Sequence, residues 1–158
     1  MEESITQTPP STLPSAIHIF RPAFAALAAR VLVEAVARRP DGDTEATIYE
    51  LAREVGIKIA KDELRASNES DRDTMRQLLT ERGYEPRSDA SGTSWLRNCV
   101  FDELANQQGQ LVCGMNLSLV KGMLEALPGA KMMARHEPEG GRCCVVLTSS
   151  QPSAQSNG

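Results

Sequence analysis

Residues 84–99, YEPRSDASGTSWLRNC, interrupt a run of helical patterns and decide the fold. Tyr84 to Asp89 reads as a short extended segment. DASG at 89–92 is a tight turn, and TSWLRNC at 93–99 is the returning strand. A hairpin this short cannot bury a face alone, so it needs further strands and helices to cover it. A second hairpin pattern lies near the C-terminus. AKMMARHEP at 130–138, the turn EGG at 139–141 and RCCVVLT at 142–148 supply the strands that could complete one sheet.

The segments upstream of the first hairpin carry helical periodicity. In RPAFAALAARVLVEAVARR (21–39), Phe24, Leu27, Val31 and Ala35 recur at helical spacing, as do Leu32 and Val36. Pro22 suits a first helical turn. Apolar residues cover more than one face of this segment, which predicts a homodimer through a helix at about 22–38. PDGD at 40–43 ends it. Asp43 or Thr44 caps the next helix, whose stripe is Ile48, Leu51, Ala52, Val55, Ile59 and Ala60. Gly56 within it either kinks the helix or admits a close neighbour. A third helix starts at Ser70 or Asp71, turns Met75, Leu78 and Leu79 inward, and stops at Gly83.

Between the hairpins, VFDELANQQ (100–108) and QLVCGMNLSLVKGMLEALPG (110–129) read as a short and a longer helix. Helices and strands are grouped, not alternating. The expectation is therefore an α+β domain in which N-terminal helices precede a β-β-α-α-β-β unit with an antiparallel sheet. Residues 1–15 and 149–158 are polar and rich in Pro, Ser and Gln, and read as tails flanking a single domain over 16–148.

The chain has 158 residues, of which 41% are hydrophobic and 24% charged, an ordinary globular mix. No apolar run approaches the ~20 residues of a membrane helix, and the N-terminus lacks a secretory pattern. A cytoplasmic location is expected, where thiols stay reduced. The net charge of −4, with bases dispersed among acids, argues against DNA binding by this chain alone. Phosphate-loop, dinucleotide, nucleophile-elbow and zinc-protease motifs are all absent, so the chain is read as a non-enzyme.

Chemistry concentrates in four cysteines: Cys99 at a strand end, Cys113 near a helix start, and Cys143 with Cys144 at the opening of the last strand. These places converge if the helix packs over the end of the sheet. No CxxC knuckle is present, and cysteine is also a common buried residue, so packing atoms and ligands remain two readings. Neighbours in a strand point to opposite faces, so one member of the Cys143–Cys144 pair is expected to be the ligand. Cys143, nearer the turn, is the preferred one. The expected metal set is Cys99, Cys113 and Cys143, with Cys144 as the other cofactor-binding candidate. A fourth ligand could come from His136, Asp102, the second member of the Cys143–Cys144 pair through a bulge, or an exogenous thiol, although His136 reads first as an exposed histidine. Thiolates suit an iron–sulfur cluster, with zinc as the alternative.

Four motifs, RGYEPR, LRNCVFDELA, LVCGMNLSLVKGMLEAL and GRCCVVL, occur in this order between Ala46 and Leu147. In this the chain resembles the C-terminal sensor half of bacterial ArsR-like winged-helix transcriptional regulators, the group that includes repressors of iron–sulfur cluster assembly. The resemblance implies a regulatory sensor domain in which Cys99, Cys113 and one of Cys143 or Cys144 hold an iron–sulfur cluster. The family's proline after the first cysteine is Val100 here. Its DNA-binding winged helix has no counterpart in these residues. HIFRPAFAALAARVL (18–32) matches the end of the wing and the linker helix, so DNA would be reached only through a domain outside this chain. The alternative is a cofactor-free dimerisation or small-ligand module with structural cysteines.

Overall fold

The computed structural model describes residues 27, 31, 32, 35, 43–66 and 68–150. The expected dimer helix at 22–38 and the tail at 1–15 lie outside these residues, apart from Leu27, Val31, Leu32 and Ala35. Those four are helical, and Val31 and Ala35 are buried in the common core.

Helix α1 runs over Thr44–Ala66. Asp43 caps it, its carboxylate accepting from the Ala46 amide at 3.1 Å. Ile48, Leu51, Ala52, Gly56 and Ala60 form its buried stripe, with Val55 and Ile59 half-buried beside it. Helix α2, Asp71–Glu81, starts at Ser70, whose hydroxyl accepts from the Asp73 amide at 3.3 Å. It stops where Gly83 takes a left-handed φ of 86°. Ser70→Ala removes this cap and is expected to lower stability by about 1 kcal/mol, read as a shift in urea midpoint at constant m.

Strands β1 (Pro86–Ser88) and β2 (Ser94–Leu96) form the first hairpin, and β3 (Met132–His136) and β4 (Val145–Ser149) the second. All pair antiparallel in one sheet of order β1-β2-β4-β3. The last strand therefore lies between β2 and β3, and Val145, Val146 and Leu147 are buried throughout. Pairing also reaches past the expected boundary at 148: Ser149 ends β4, and the Ser150 amide donates to the Lys131 carbonyl at 2.8 Å. Residues 151–158 lie outside the described set.

The general α+β architecture with an antiparallel sheet holds. Between the hairpins two helical segments follow one another as α3, Asp102–Ala126, separated by a kink at Gln108, whose φ of −139° and ψ of 56° are not helical. The bend falls beside Gly109, where helix propensity is lowest and a kink costs least. A 3-10 turn, Pro128–Ala130, follows. It is tied to the start of α2 by the Gly129 amide donating to the Asp71 carboxylate at 2.7 Å.

Helices α1 and α3 pack backbone to backbone. A β-carbon placed on Gly56 would sit 2.1 Å from the Leu119 carbonyl oxygen, and one on Gly122 would sit 2.1 Å from that of Arg53. Gly56 thus serves close approach, not a kink, and α1 continues unbroken through it. This crossing fixes α3, and with it Cys113 and Asn116, against the sheet.

Candidate metal centre

Each cysteine is placed by a different device. Cys99 lies in the link from β2 to α3. Its neighbour Asn98 clamps that link: the side-chain oxygen accepts from the Glu85 amide at 2.7 Å, and the side-chain nitrogen donates to the Gly83 carbonyl at 2.5 Å. The Asp102 amide donates to the Cys99 carbonyl at 3.3 Å as α3 begins. Cys113 sits on α3, half-buried, just past the bend.

Cys143 and Cys144 precede β4, where the chain is still bending. The Cys143 amide donates to the Leu96 carbonyl at 2.9 Å, and the Cys144 carbonyl accepts from the Glu137 amide at 2.8 Å. Strand alternation predicts opposite faces for the pair. Because these residues lie outside the regular strand, both instead line a single cavity of about 300 Å³, shared with Cys99, Cys113, Asp102 and Arg142.

Within this convergence the Cys143 thiol interacts with both Cys144 and Cys99. Cys143 faces Cys99 and Asn116, whose side-chain nitrogen donates to the Cys143 sulfur at 3.3 Å. Asn116 in turn accepts from the buried Tyr84 hydroxyl at 2.5 Å, so Tyr84, Asn116 and Cys143 form one buried polar chain. Cys144, besides meeting Cys143, joins Cys113 and His136, and the ligand atoms of these three lie within 4.8 Å of one another. The preference for Cys143 over Cys144 is thus not reflected in this triad. His136 is exposed, as read from the sequence, yet the end of β3 carries it to two sulfurs. Asn98 and Asn116 carry positioning roles that sequence reasoning missed. The only signal was that each is a polar residue inside a motif of apolar and cysteine residues.

Burial and mutual contact hold two of the four thiols, Cys99 and Cys143, in the neutral form. The Cys99 thiol is pushed above the usual thiol range, first by its interaction with Cys143 and then by burial. Cys143 is raised to about 11, with Cys144 the leading cause and Cys99 acting in the opposite direction. Neutral thiols are favoured because adjacent thiolates in a dry site repel. A bound cation reverses that balance and holds the thiolates ionised. Arg142 borders the cavity and is paired across the hairpin turn with Glu137 at 3.1 Å and Glu139 at 2.5 Å. Its side chain is only 15% exposed.

The donor set fits a metal. Ligands on one tetrahedral zinc lie about 3.8 Å apart, given metal–sulfur bonds of ~2.3 Å. Atoms already within 4.8 Å of each other reach that spacing by small side-chain rotations. Two sulfurs and an imidazole are a soft-to-borderline set, suited to zinc or iron and poorly suited to magnesium or calcium. No protein-family model, curated protein or solved structure matches this chain.

Proposed function

We propose that this chain is the sensor module of a transcriptional regulator, responsive to a soft metal centre. The observation that carries the metal assignment is the grouping of Cys113, His136 and Cys144 within 4.8 Å beside a hollow lined by all four cysteines. Cys113, Cys144 and His136 hold the metal, while Cys99 and Cys143 line the adjoining space. The site joins the end of β2, the middle of α3 and the β3–β4 hairpin. Metal binding draws these elements together, and metal loss lets them relax. Helix α3 passes the difference to α1 through the Gly56–Gly122 crossing. The relay to a DNA-binding partner rests on the motif resemblance.

A second reading has its own support. The cavity of about 300 Å³ with four cysteines on its wall suits an iron–sulfur cluster, which is commonly held by four thiolates. The two readings separate by experiment.

Anaerobic titration of the reduced protein with zinc, and with cobalt as a coloured substitute, is expected to show one tight site. Cys113→Ser and Cys144→Ser are expected to weaken it by about 100-fold or more, and His136→Ala by about 10- to 100-fold, as for loss of one ligand or its support. Cys99→Ser and Cys143→Ser then have the smaller effects. Brown protein with matched iron and sulfide, lost in Cys99→Ser and Cys143→Ser alike, would select the cluster. If neither zinc nor iron binds, or if both survive loss of Cys113 and Cys144, the metal assignment is wrong.

A further inference from the structure

A second cavity, of about 430 Å³, lies between α2 and the inner face of the sheet, away from the cysteines. Its origin is readable in the register. Ser88 pairs with Ser94, Ser94 with Leu147, and Leu147 with Ala134, so these four side chains form one row across the sheet. Three of the four are small, and the two serine hydroxyls are hydrogen-bonded to each other at 2.6 Å. Helix α2 bridges this shallow row without filling it. Met75 and Leu79 from the helix, with Met132 and Leu147 from the sheet, give the cavity apolar walls.

The mouth is basic. Arg72 and Arg76 stand one turn apart on α2, both exposed, and Arg87 borders the cavity from the edge strand β1. Like charges at this helical spacing repel, and neither Arg72 nor Arg76 has an ion-pair partner among the described residues. The acid at the rim, Asp73, is engaged by the Ser70 hydroxyl at 2.5 Å. The rim thus carries three guanidinium groups against one carboxylate, a local positive excess over an apolar hollow in a chain of net charge −4.

We propose that this cavity binds a small amphipathic anion: an apolar acyl or aryl body between α2 and the sheet, with a carboxylate or phosphate head on Arg72 and Arg76. Guanidinium groups match both head groups with paired hydrogen bonds. The volume lies in the range of small-molecule sites, which combine apolar walls with a few placed polar groups. Because α2 is tied through Asp71 to the turn that leads into β3, an occupant here acts on the strand that carries His136.

The test uses the whole chain, reduced and metal-free, with displacement of the fluorescent anion anilinonaphthalene sulfonate by decanoate, decyl phosphate and decanol. At least one of the two anions is expected to displace the reporter about tenfold or more better than decanol, the margin of one charge-assisted contact. Which anion is stronger identifies the head group. Arg72→Ala/Arg76→Ala, at exposed positions, is expected to remove that margin while leaving decanol displacement and the urea midpoint unchanged. Equal displacement by decanol and both anions, no displacement by any, or full retention of the margin in the double variant would overturn the proposal.

Discussion

Gly56→Ala is expected to destabilise the protein by about 3 kcal/mol, lowering the melting temperature by roughly 6–12 °C for a chain of this size. The sign is opposite to the usual one. In an unconstrained helix, glycine to alanine gains about 0.5–1 kcal/mol because the unfolded chain loses less freedom. Here the added methyl would meet the Leu119 carbonyl oxygen at 2.1 Å, and that oxygen is held in α3. The helices must separate, which opens voids around Leu51, Ala52 and Leu119 in the core. Gly122→Ala should act alike, since its methyl would lie 2.1 Å from the Arg53 carbonyl. The double variant should cost less than the sum, because one separation relieves both clashes. Gly109→Ala is the control. Nothing lies within 4 Å of its β-carbon position, so a small change of either sign is expected. Urea unfolding of the parent and the four variants reads all of this, and a Gly56→Ala variant as stable as the parent would show that α1 and α3 do not cross this closely.

The second large effect is expected at the buried chain from Tyr84 through Asn116 to Cys143. Asn116 is 1% exposed, and its amide both accepts from Tyr84 and donates to Cys143. Asn116→Leu removes the acceptor of a buried hydroxyl and should cost about 3 kcal/mol, with Tyr84→Phe costing about 1–2 kcal/mol. The double variant should recover much of the loss, since removing both partners leaves neither unsatisfied. Burial, followed by the nearby cysteines, holds the Tyr84 hydroxyl well above its ordinary value of 10.0. Its contribution is therefore complete below pH 10 and lost as pH rises, because the unfolded chain releases a proton that the folded chain keeps. The slope approaches about 1.4 kcal/mol per pH unit for this one group. Urea midpoints between pH 9 and 11 should fall less steeply in Tyr84→Phe than in the parent, and parallel curves would count against the assignment.

Much of the frame was legible locally. The stripe of α1, the Ser70 cap, the Gly83 stop and the two hairpin turns are short-range properties, set by side-chain spacing and by which residues tolerate a left-handed φ. The kink in α3 at Gln108 falls between the two helical patterns of the sequence, beside Gly109. Gly56 left two readings open, and only the presence of Leu119 across the crossing selects between them.

The candidate centre divides in the same way. The sequence by itself named four cysteines and the helix and hairpin that could bring them together, because cysteine is scarce and its chemistry is legible by type. Which sulfur faces which partner was settled by tertiary structure. Strand alternation would have sent Cys143 and Cys144 to opposite faces, but the pair precedes the strand, and hydrogen bonds to Leu96 and Glu137 set its direction. His136 reads as an ordinary exposed histidine because it lies near Pro138 at the edge of a hairpin. The register of β3 against β4, fixed over five residue pairs from Met132–Ser149 to His136–Val145, carries its ring beside Cys113 and Cys144. A residue's type fixes the bonds it can make. The partners within reach depend on long-range pairing, which no short window of sequence contains.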